Sequence, residues 1–204
     1  MNLTPSLKTG LLIAALLLTG CSSGPVAPAW QSEAKDAMDR ANAAYLEGDS
    51  RVASAEMARV RKIISSTGRA DLLATAELSH CAAQVASLVL EPCSGFEALR
   101  KDATAIQTAY ADYLQGRGPT PAAQTPEDPL SRLLLAAITL QKGQANPATI
   151  SSAIDTASAQ GWRRPLLAWL GVQAMRADQA GDTTAAQRIR RRISLVDGRA
   201  GATL

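Results

Sequence analysis

From Ala34 to Val196 the apolar residues of this chain keep returning in steps of three and four, and that period commits it to helices. The first stripe is Ala34, Ala37, Met38, Ala41, Ala44 and Tyr45, with Ser32 ahead of it as the expected N-cap. Gly48-Asp49 interrupts it as a turn. A second stripe holds Val52, Ala55, Val60, Ile63 and Ile64, and Thr67-Gly68 ends it. Asp71 then opens Leu72 to Leu90, which is apolar almost all round and so expects burial on more than one side, until Pro92 stops it. Further helices are expected over Phe96 to Leu114, Leu130 to Gln141 and Pro147 to Ala159, with a final pair, Leu166 to Gln179 and Thr183 to Val196, around Gly181-Asp182. That makes eight helices. Residues 116–129 hold four prolines and two glycines and are expected as a long irregular loop.

The side-chain inventory agrees with an all-α fold. Aromatics are 3% of the chain and there is a single Phe. Alanine-rich cores suit closely approaching helices, and the β-branched and aromatic runs of strands are missing. Without a leader, about 180 residues remain, enough for one domain with a core of its own.

The N-terminus reads differently. Lys8 precedes an uninterrupted apolar run, Leu11 to Leu18. That run is far shorter than the ~20 residues of a spanning helix, so it reads as the apolar core of a secretion signal. Leu18-Thr19-Gly20-Cys21 follows, and this resembles the lipobox of bacterial lipoproteins. The resemblance implies that residues 1–20 are removed and that Cys21 becomes an acylated N-terminus. Several acyl chains anchor stably where one does not. Ser22 stands where an Asp would imply retention at the inner membrane, so the resemblance implies the outer membrane, periplasmic face. Residues 21–31, with Gly24, Pro25 and Pro28, are expected as a tether, residues 32–197 as the helical domain and residues 198–204 as a disordered tail.

Two segments of the helical part resemble the turn and second helix of a tetratricopeptide repeat. One is Ala44-Tyr45-Leu46-Glu47-Gly48-Asp49 with Ala53 and Ala55; the other is Asp178-Gln179-Ala180-Gly181-Asp182 with Ala185 and Ala186. Tyr113-Leu114-Gln115-Gly116 places a glycine 68 residues after Gly48, twice the 34-residue repeat. Around Ala82 no turn signal falls, and the proline-rich segment interrupts the third copy. The fold expectation is therefore antiparallel helical hairpins, either tetratricopeptide-like or an irregular α-bundle.

Chemistry-bearing residues are few. His80 is the one histidine, set in an apolar helix beside Cys81 and one turn from Glu77, and is expected to be structural. There is no HExxH, no GxSxG, no phosphate-binding loop and no GxGxxG. No catalytic residue, metal or cofactor is expected. Cys81 and Cys93 can form a disulfide only if the helix carrying Cys81 ends by about Leu88 and the chain folds back, since a continuous helix would hold their Cα atoms ~18 Å apart. Two buried thiols are the alternative. Charge is uneven: residues 22–160 hold 12 Lys and Arg against 15 Asp and Glu, whereas residues 161–204 hold 8 Arg against 3 Asp. Arg163-Arg164 and the cluster Arg188, Arg190, Arg191 and Arg192 make up most of that basic end. Arg188, Arg191 and Arg192 are expected to point away from the apolar face of their helix, with Arg190 at its margin.

The functional expectation is a lipid-anchored, non-enzymatic adaptor for protein–protein interaction in envelope, secretion or pilus assembly, with a periplasmic or outer-membrane protein as partner. Nucleic acid is not an expected partner. The alternatives are binding of an anionic envelope component through Arg188, Arg190, Arg191 and Arg192, and a cell-envelope hydrolase using carboxylates that the sequence does not single out.

Overall fold

The computed structural model describes residues 28–120 and 127–198. The signal, Cys21, most of the tether and the tail from Arg199 lie outside the described residues. Among those described, the chain is all-α: nine α-helices and one 3-10 turn, with no strand.

The first hairpin joins α1 (Ala29–Glu47) to α2 (Ser50–Ser65). Ala34, Ala37, Ala41 and Ala44 are buried along α1, and small side chains at that spacing let α2 approach closely. Asp49 caps α2 by accepting from the Val52 amide at 3.0 Å. α3 (Ala70–Ala86) packs on both helices. Met57, Val60, Ile64 and Ala76 join Ala34, Ala37 and Ala41 in a small core of their own.

The larger core lies on the other side of α3. It gathers side chains from α4 (Ser94–Glu97), α5 (Ala105–Leu114), α6 (Pro129–Gln141), α7 (Pro147–Ala159) and α8 (Arg163–Gln179), with Phe96, Tyr113 and Trp169 fully buried. Helices α6 to α9 (Thr183–Val196) pack in chain order. Trp169 Nε1 donates to the carbonyl of Ala86 at 3.2 Å, satisfying an acceptor in the last turn of α3.

Contact between α1 and α8 closes the bundle. The first two residues of α8 supply its hydrogen bonds. Arg164 donates to the carbonyl of Tyr45 at 2.6 Å and to Ser50 Oγ at 2.7 Å, and its guanidinium stands 4.3 Å over the Tyr45 ring. Arg163 donates to the carbonyl of Glu47 at 3.2 Å. Cations and donors belong at a helix C-terminus, where carbonyls lack partners. This half of the basic end therefore works inside the molecule.

Four expected boundaries move. The helix expected over Phe96 to Leu114 is broken into α4, a 3-10 turn at Arg100–Asp102 and α5. Thr104 is the cause: its side chain accepts from the Gln107 amide while Gln107 reaches back to the Thr104 amide, a capping box that starts a new helix. α3 ends at Ala86 instead of Leu90, with Leu88 at φ 62 turning the chain. α1 begins at Ala29, inside the expected tether, because the fixed φ of Pro28 suits a helix start; Ser32 lies within the helix and donates to the carbonyl of Ala29. α8 begins three residues before Leu166, with Pro165 tolerated in its first turn.

Candidate functional site

Early termination of α3 brings Cys81 and Cys93 together. Their Cα atoms are 5.6 Å apart, the sulfurs are at bonding distance, and both residues are buried. Closing a loop of this size contributes about 3 kcal/mol in the chain-entropy account. The pair lines a polar cavity of about 260 Å³ with Ser54, Arg61, Glu77, His80 and Gln84. Glu77 is only 7% exposed, and both its oxygens accept from Arg61, at 2.5 and 2.9 Å. A Cβ on Gly95 would lie 2.0 Å from Glu77 Oε2, so the backbone of α4 closes directly over the carboxylate. His80 sits edge-on to Tyr45, ring centroids 5.2 Å apart. Burial holds its pKa below the ordinary imidazole value, opposed in part by the charge of Glu77. The cavity thus holds a carboxylate paired with Arg61 and a histidine whose buried Nδ1 has no hydrogen-bond partner among the described residues.

The opposite face of α3 is apolar and open. A groove of about 590 Å³ runs between α3 and α5, lined by Leu78, Ala82, Ile106, Ala109, Tyr110 and Leu130. A second, of about 510 Å³, runs between α3 and the α1–α2 hairpin, lined by Trp30, Met38, Val60 and Leu72 among others. Thr75 and Ser79 line both, so the two grooves flank a single ridge of α3. The ridge is fixed by polar contacts from either side: Gln107 Nε2 donates to Thr75 Oγ1 at 2.8 Å, and Asn42 Nδ2 donates to Ser79 Oγ at 2.9 Å. Ile106 is 83% exposed on the second turn-forming position of α5. Its apolar side chain adjoins the apolar lining of the α3–α5 groove.

Ile106 was not legible as a site residue. Within one long helix from Phe96 it is an unremarkable member of a stripe. Only the Thr104-x-x-Gln107 signature shows that a helix starts there and that Ile106 belongs to its exposed first turn.

The four C-terminal arginines divide. Arg188, Arg191 and Arg192 are exposed, as expected, and take no carboxylate partner among the described residues. Arg190 is not merely marginal: Asp178 of α8 holds it in an ion pair. No group of His, Cys, Asp and Glu among the described residues is arranged to hold a metal ion, and no described helix is long and apolar enough to cross a membrane. The fold and these surfaces define an all-α bundle with a grooved apolar face and a separate arginine face. No family model, curated protein or solved structure matches the chain.

Proposed function

We propose that this chain is a periplasmic lipoprotein of the outer membrane, anchored by acyl chains on Cys21, that acts as a non-enzymatic adaptor in envelope, secretion or pilus assembly. The anchor rests on the signal-like residues 1–20 and the Leu18-Thr19-Gly20-Cys21 sequence. The adaptor role rests chiefly on one observation: the two apolar grooves beside the α3 ridge, with Ile106 exposed at the rim of one. Removing apolar surface from water drives association, and an apolar segment laid between two helices is a recurrent mode of peptide capture. The occupant is an apolar stretch of a partner protein, seated between α3 and α5. The equivalent turns at Gly48-Asp49 and Gly181-Asp182, each followed by an Asp-capped helix, favour tetratricopeptide-like hairpins at the two ends. The contact of α1 with α8 favours an irregular, closed arrangement between them.

A photo-crosslinking residue at Ala109, in the groove, and another at Ser158, on α7, test this in cells expressing the full chain at native level. One protein adduct is expected from position 109 and none from position 158, and Ile106→Glu is expected to abolish the adduct by placing a charge in the apolar seat. An adduct that survives Ile106→Glu, or equal labelling from both positions, would overturn the groove as the adaptor site.

A further inference from the structure

A second face is left over, on α9. Arg188, Arg191 and Arg192 recur at three- and four-residue steps and share one stripe of the helix. Leu195 lies three and four residues beyond Arg192 and Arg191, continues that stripe, and is 69% exposed. Two nearby carboxylates are engaged elsewhere: Asp178 with Arg190, and Asp182 as the cap of α9, accepting from Ala185 at 2.9 Å. Like charges at these spacings destabilise a helix, so intramolecular stability gives no reason for the stripe. Every cation here is an arginine, whose planar fork suits bidentate contact with a carboxylate.

We propose that this stripe docks an acidic amphipathic helix of a partner protein. Carboxylates one turn apart on such a helix match guanidinia one turn apart on α9, and an apolar residue on its flank covers Leu195. A hydrated anionic glycan would supply the charge but leave Leu195 in water. Guanidinia one turn apart on a rigid helix match carboxylates held at the same spacing on a partner helix, whereas lipid headgroups diffuse independently and fix no such spacing. The stripe is independent of the α3 groove.

The test measures binding of a fluorescent synthetic helix, carrying Glu at three- and four-residue steps with Leu on one flank, to the mature full-length protein. The joint variant Arg188→Gln, Arg191→Gln, Arg192→Gln is expected to weaken binding by about tenfold or more, with unchanged helicity by circular dichroism. Leu195→Ser is expected to weaken it about threefold, and raising salt is expected to weaken it further. Ile106→Glu, in the groove, is expected to leave it unchanged, so a failure of the adaptor groove and a failure of this stripe give different results. Three outcomes overturn the proposal. They are no dependence on the three arginines, equal binding of a scrambled peptide of the same charge, and tighter arginine-dependent binding to phosphatidylglycerol vesicles than to the helix.

Discussion

At the residue scale, His80 shows how burial turns a titratable group into a stability term. Its imidazole is packed against Tyr45 in the scaffold cavity, and desolvation depresses its pKa. The unfolded chain takes up the proton near the ordinary value of 6.5, whereas the folded chain resists it. Folding stability is therefore full above that value and falls as the pH drops from about 6.5 through the folded-state pKa. Denaturant melts at stepped pH are expected to show this loss, and His80→Asn is expected to flatten the slope between pH 6.5 and the onset of carboxylate protonation. An unchanged slope in the variant would place the acid sensitivity elsewhere. The partial burial of His80 was readable from its apolar neighbours in the sequence. The Arg61–Glu77 pair beneath it was not, because it joins two helices and no local spacing announces it.

At the scale of elements, period and punctuation settled most helices. Gly48-Asp49, Gly143, Asn146-Pro147 and Gly181-Asp182 fall where helices stop or start. The misplaced boundaries have a common cause: apolar period continues across a break when a cap or a turn is stronger than the stripe. Thr104 and Gln107 restart the chain inside one stripe, and Leu88 turns it inside another. The tie between α8 and the α1–α2 turn was out of reach, since Arg163 and Arg164 act on residues more than a hundred positions away. That tie has a direct consequence. Gly48 and Gly181 occupy the same kind of turn, at φ +97 and +72, so alanine at either should cost about 1 kcal/mol in backbone strain. A Cβ at Gly181 meets nothing within 4 Å, whereas at Gly48 it would stand 2.9 Å from the Arg163 guanidinium. Gly48→Ala is expected to destabilise more than Gly181→Ala, and the difference is expected to vanish in an Arg163→Ala background. Equal effects in the wild-type background would mean that the exposed Arg163 side chain swings aside without cost.

At the scale of the whole molecule, the described residues form a closed bundle with two faces proposed for binding. The scaffold is a bundle with α3 at its centre, stapled by Cys81 and Cys93 and clasped by Arg163 and Arg164. The grooves beside α3 and the arginine stripe of α9 are two surfaces that the described residues leave open. Sequence reading reached the stripe because charge and period are local, and missed the grooves because they exist only between helices. What would join both faces to a cellular place is the acylation proposed at Cys21. Intact mass spectrometry of the detergent-extracted mature protein measures it directly. The account predicts a chain that begins at Cys21 and carries the added mass of acyl chains, lost together with outer-membrane fractionation in Cys21→Ser. A mature chain beginning at any other residue, or one beginning at Cys21 without acyl mass, would contradict it.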